Sequence, residues 1–139
     1  MHNTQDEERF LEACDMLDAD CVRTLIATGV NLECRSREAN TPLLCAIDVV
    51  HLKPSAALEI AKLLLAAGAD TEARGYMNKT PFLKACSRGN LEMLQLLVEN
   101  GCDIHAVSND LESVSGREFA EIFQASDEFK DYLRELYHA

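Results

Sequence analysis

Apolar residues recur along this chain at helical spacing, in short stripes divided by polar, turn-forming stretches. Phe10, Leu11, Ala13, Cys14 and Leu17 form the first stripe, because residues three and four apart share one helix face. Residues 1–5 are expected to fray, so that this first unit begins near Asp6. A second helix is expected over 20–28, with Val22, Leu25 and Ile26 turned inward. Thr41-Pro42 and Thr80-Pro81 each start a further helix. The Thr hydroxyl accepts from an orphan backbone N–H, and Pro fills the first helical position, where no donor is needed. The first half of the second unit, Pro42–Leu52, breaks at Lys53-Pro54-Ser55. Ser55 is expected to cap a helix over Ala56–Ala67, whose core residues are Leu58, Ile60, Ala61, Leu63, Leu64 and Leu65. Ser115 with Glu118 spells a capping box before Phe119, Ile122 and Phe123. Ser126 opens a last helix bearing Phe129, Tyr132, Leu133, Leu136 and Tyr137. These aromatics are expected to seal the core, or else to form a docking patch.

The stripes are copies of one unit. T-P-L-L-C-A at Thr41 reappears as T-P-F-L-K-A at Thr80, and L-L-L-A-A-G-A-D, ending at Asp70, reappears as L-Q-L-L-V-E-N-G-C-D, ending at Asp103. Ala13 and Ala46 lie 33 positions apart, as do Gly68 and Gly101, whereas Ala46 to Ala85 and Gly29 to Gly68 are both 39. The second unit therefore carries six extra residues, placed at Val49–Ala56. That insertion offers either an additional contact site or a tolerated change of length. Gly29, Gly68 and Gly101 close helices in the left-handed conformation that glycine adopts freely, and Asn31, Asp70 and Asp103 favour the turn that follows.

A repeat of this length, with Thr-Pro and Gly-Ala/Cys-Asp at fixed spacing, resembles the ankyrin repeat, two antiparallel helices and a hairpin-like turn. The resemblance implies an all-α solenoid forming one domain over 1–139. Its repeats would lie at about 8–40, 41–79 and 80–112, with a degenerate cap at 113–139. Leu11, Leu44 and Leu83 stand where the family motif carries His, which removes a Thr–His hydrogen bond but not the helix start. The resemblance also implies that a partner meets the hairpin tips and the exposed side of each first helix. Carried onto this chain, those positions are Glu12 and Asp15; Arg35, Arg37, Glu38 and Asp48; Arg74, Tyr76, Met77 and Lys79; Lys84, Ser87 and Arg88; and Asn109 and Asp110. Cys45 falls among the first-helix positions too. Tyr76-Met77 reads either as a binding pair or as packing between neighbouring tips.

Composition narrows the function. The chain has 139 residues and a formal net charge of −11. Acid is gathered early, at Asp6, Glu7, Glu8, Glu12, Asp15, Asp18 and Asp20 against Arg9. Nucleic-acid binding needs a basic footprint and is not expected; a basic protein partner is allowed. No apolar run reaches the roughly 18–20 residues of a membrane span, and the N-terminus lacks the regions of a signal peptide, so a cytoplasmic protein is expected. Cys14, Cys34, Cys86 and Cys102 take the places of small buried residues, as free thiols in a core do. No zinc-type Cys/His spacing and no nucleophile, phosphate-loop or dinucleotide motif is present. The sequence thus predicts a non-enzymatic binding module, with no cofactor or metal. Its partner would be a protein, in a narrower version a basic enzyme or toxin that it inhibits as an immunity protein does. A monomer is expected; the alternative is a self-associating, homodimeric scaffold.

Overall fold

A computed structural model describes residues 4–108 and 113–138. Among them are eight α-helices and no strand: α1 Thr4–Asp15, α2 Ala19–Ala27, α3 Pro42–Asp48, α4 Pro54–Ala66, α5 Pro81–Arg88, α6 Leu91–Glu99, α7 Gly116–Ile122 and α8 Asp127–His138. They pair as α1·α2, α3·α4, α5·α6 and α7·α8, and the pairs stack in chain order. α1, α3, α5 and α7 make an inner row, with α2, α4 and α6 behind them. Each layer meets only its neighbours, the arrangement of a solenoid. One apolar core runs through the stack, from Phe10 through Leu43, Ile47, Ile60 and Phe82 to Leu94 and Phe129, none more than 1% exposed.

The repeated sequence is repeated geometry. Thr41 has φ −74° and ψ 166°, Thr80 φ −76° and ψ 167°, and their hydroxyls accept from Leu44 N and Leu83 N. Gly29, Gly68 and Gly101 have φ of 85°, 101° and 82°. The carboxyl or amide oxygens of Asn31, Asp70 and Asp103 each accept from the backbone two residues on. The capping box at Ser115 and Glu118 is complete.

Several boundaries differ from expectation. α1 already includes Thr4 and Gln5. Leu17 is buried but lies beyond α1 with φ 57°, and Ile26 is only half-buried. α3 stops at Asp48, and α4 starts at Pro54 rather than after Ser55; Lys53 precedes it without a side-chain cap. The six inserted residues divide in two. α4 has 13 residues against 9 in α2 and in α6, and the turn 49–53 has two more residues than the turn 16–18. At the far end, Phe119, Phe129 and Leu133 seal the core, whereas Ile122 and Phe123 are 60% and 51% exposed. No helix among the described residues is long and apolar enough to cross a membrane.

Candidate protein-binding cleft on the inner helices

The hairpin tips are tied to one another before any partner arrives. Arg35 donates to the carbonyls of Ala39 in its own tip and of Arg74 in the next. Arg74 repeats the bond one layer on, to Asn78 at 2.8 Å and Val107 at 2.9 Å. Glu33 accepts from Asp70 N, and Glu72 likewise from Asp103 N, both at 3.1 Å. Asn40 Oδ1 accepts from Tyr76 N at 2.9 Å. Gly75 makes that approach: a Cβ there would strike Asn40 Oδ1 and lie 2.6 Å from Leu44 Cδ1. Arg35 and Arg74, expected as contact residues, therefore spend at least one guanidinium nitrogen each on holding the tips. Identical residues 39 positions apart, Glu33/Glu72 and Arg35/Arg74, were the sequence signal of this ladder.

On that fixed frame, Tyr76–Asn78 forms a single 3-10 turn with Met77 at φ 57°. It overhangs a cleft of about 300 Å³ whose floor is the end of α3 and the inner side of α5, and whose far wall is Phe123. Eight of the sequence-predicted residues line it: Glu38, Asp48, Tyr76, Met77, Lys79, Lys84, Ser87 and Arg88. Three of them are not the exposed contacts expected. Lys79, Lys84 and Ser87 are 7%, 3% and 7% exposed. Lys79 Nζ donates to Ser87 Oγ at 3.1 Å and stands 4.6 Å above the Phe119 ring and 5.3 Å above Phe123, an arrangement in which ring quadrupole attracts cation. Lys84 Nζ lies 5.8 Å from the Tyr76 ring and donates to Asp48 Oδ1 at 3.2 Å. Arg88 donates to the same oxygen. Burial alone would raise the Asp48 carboxyl, but the hydrogen bond from Arg88 and the charges of Arg88 and Lys84 outweigh it and hold it below the ordinary value of 3.8.

The remaining predicted residues do not join this cleft. Glu12 and Asp15 sit on α1, exposed; burial raises the Asp15 carboxyl, which bonds the Cys45 thiol. Arg37 is exposed at the first tip. Cys45, counted among the exposed first-helix positions, is 2% exposed. Asn109 and Asp110 lie outside the described residues. Asn40 and Phe123 also line the cleft: Asn40 stands at a hairpin tip as the repeat equivalent of Lys79, and Phe123 is one of the C-terminal aromatics that the sequence leaves between core and docking patch.

A second concavity, about 240 Å³, lies between α7 and α8 beside Arg117, Lys130 and Arg134. Its cations have partners, Lys130 with Glu121 and Arg134 with Asp131, and it forms the polar outer face that an end layer of a solenoid needs. All six cysteines are unpaired. Burial pushes Cys34 up to about 11 and Cys102 to about 12, and raises Cys14, Cys45 and Cys86 further. No cluster of His, Cys, Asp and Glu suited to a metal occurs among the described residues.

The family model for ankyrin repeats, in three copies, matches residues 10–108. Human ankyrin repeat domain-containing protein 63 is 32% identical over 78 residues, 56% of this chain and 20% of that protein. Human ankyrin repeat and SOCS box protein 16 is 40% identical over 80 residues, 56% of this chain and 16% of its own length. A putative ankyrin repeat protein of Rickettsia bellii is 40% identical over 50 residues, 36% of this chain and 15% of that one. The chain thus spans a fifth or less of the length of these relatives. Stacked layers with equivalent Thr-Pro starts and glycine stops, together with a match over well beyond half the chain, place it in the ankyrin-repeat family.

Proposed function

We propose that this chain binds a protein partner across its inner helices and hairpin tips, with the cleft beneath Tyr76 and Met77 as the centre of contact. The carrying observation is that pair. Tyr76 and Met77 are 53% and 59% exposed on a tip fixed from both sides, so the fold gains little from them. Met77 also holds a left-handed backbone that a non-glycine residue adopts at a cost. Tyr and Met are enriched at interfaces, and ankyrin repeats generally act as interaction modules. The unpaired, buried thiols suit the reducing cytoplasm.

The acidic face of α1 supports a narrower version, in which the partner is a basic enzyme or toxin and binding inhibits it. The cleft is lined by cations and acids alike, Lys79, Lys84 and Arg88 with Glu38 and Asp48, so the basic character of the partner is argued from α1 alone, where such complementarity fixes orientation and register.

The test is affinity capture from the source cell with two baits, the wild-type chain and Tyr76→Ala/Met77→Ala. A stoichiometric protein is expected with the first and at least tenfold less of it with the second, as for interface hot spots, with melting temperature nearly unchanged. Equal capture by both baits, or lost stability with intact capture, would assign the pair to packing between tips.

A further inference from the structure

We infer that the inner face reads one extended segment of the partner, seating an apolar side chain against Tyr76, Met77 and Phe123 and a basic run over α1. This deepens the function proposed above and rests on it. The repeat register orders the face. Ala13, Ala46, Ala85 and Ala120 take equivalent buried places on α1, α3, α5 and α7. Two positions after them stand Asp15, Asp48, Ser87 and Ile122. That row along the stack begins in acid and ends in an apolar side chain. Six large apolar side chains are exposed among the described residues, and four of them lie toward its α7 end: Tyr76, Met77, Ile122 and Phe123. The rings of Tyr76 and Phe123 each turn toward a buried lysine, which leaves their outward surfaces for an aliphatic or aromatic side chain.

The opposite end calls for cations. Glu12, Asp15 and Glu38 are exposed, and none of them stands in an ion pair among the described residues. Burial, then the charges of Glu38 and Asp48, raise the Asp15 carboxyl, against the Cys45 hydrogen bond that lowers it. Both charges that act on it are therefore negative. Glu8, Glu12, Asp15 and Glu38 outnumber Arg35 and Arg37 at this end, and Arg9 is already set against Asp6 at 3.4 Å. Between the two ends, Lys84 and Arg88 both bond Asp48, so this stretch holds its own charges and an uncharged run can cross it. Packed helices stand about 8–10 Å apart, so the three steps from α7 to α1 span about 24–30 Å. An extended chain covers that distance in about seven to nine residues. The spacing between apolar anchor and basic run is thus what the face selects.

Two peptides test this by nuclear magnetic resonance titration. Each joins an arginine triplet to a leucine-phenylalanine pair, through about two uncharged residues in one and about eight in the other. The long-spacer peptide is expected to shift the Glu12 and Met77 amide resonances together and to bind at least tenfold more tightly, since a linker too short to span two sites adds nothing. Tyr76→Ala/Met77→Ala and Glu12→Gln/Glu38→Gln should each abolish that advantage. All four residues are exposed, so an unchanged melting temperature is expected in both variants. A long-spacer peptide with glutamate for arginine should not bind. The inference is overturned if the two spacers bind equally, if either double variant keeps the advantage, or if the glutamate peptide binds as tightly. It is overturned equally if no peptide binds, or if the shifts fall instead on the groove of Glu128, Asp131 and Glu135 between α6 and α8. The two-bait capture decides separately whether this face binds a protein at all.

Discussion

At the scale of single residues, position in the repeat decides what a side chain is for. A Cβ at Gly68 would meet nothing within 4 Å, but φ is +101°. Gly68→Ala should therefore lose only the backbone preference, about 1–2 kcal/mol, read as a lower urea midpoint with an unchanged slope. No loss would contradict the left-handed helix stop. Asp48 yields a prediction with a pH sign. Its folded carboxyl titrates below 3.8. A depressed carboxyl contributes stability that is present above its unfolded value and lost as pH falls through the folded one. Asp48→Asn leaves Lys84 buried beside a neutral group. The Asp48 side chain is 34% exposed, so solvent screens part of the effect, and about 1–2 kcal/mol is expected near neutrality. That difference should shrink below about pH 4. Urea titrations of both proteins at about pH 7 and about pH 3 would show it; an undiminished gap in acid would rule out the ion pair as its source.

At the scale of elements, what was legible in the sequence was what the backbone itself specifies. Thr-Pro starts, glycine stops and the capping box at Ser115 all stand where local chemistry put them. The start of α4 was misplaced because Ser55 looks like a cap, yet proline fits the first helical position as well here as in the two Thr-Pro pairs. Applied to Lys53-Pro54, the same rule gives the observed boundary. The burial of Lys79, Lys84 and Ser87 was not legible, because it depends on elements distant in sequence. Phe119 and Phe123 of the fourth unit lie against Lys79, and Asp48 of the second draws Lys84 inward. The repeat register placed eight predicted residues around one cleft; it could not say which of them the neighbouring layers would cover.

At the scale of the whole molecule, a solenoid should fail layer by layer, because stability is carried between neighbours. The joint between the third and fourth units is Gly116. An added Cβ would lie 2.5 Å from Phe82 Cε2 and 3.0 Å from Cys86 Sγ. Phe82 is fully buried and has no space to yield, so Gly116→Ala must push α7 off α5. Overpacking of this kind costs about 1–3 kcal/mol. The thiols report where that loss is felt. Thiolate is the reactive form, and burial now keeps Cys86 and Cys102 protonated, the latter up to about 12. In Gly116→Ala these two should become reactive toward a thiol reagent, while Cys14 and Cys45, at the opposite end of the stack, stay protected as in the parent. Cys21, only half-buried, provides an internal standard. Phe123 would leave its place with α7, so the cleft should lose affinity for its partner in the same variant. If all five buried thiols became reactive together, the stack would be one cooperative block, and the layered description of its stability would be wrong.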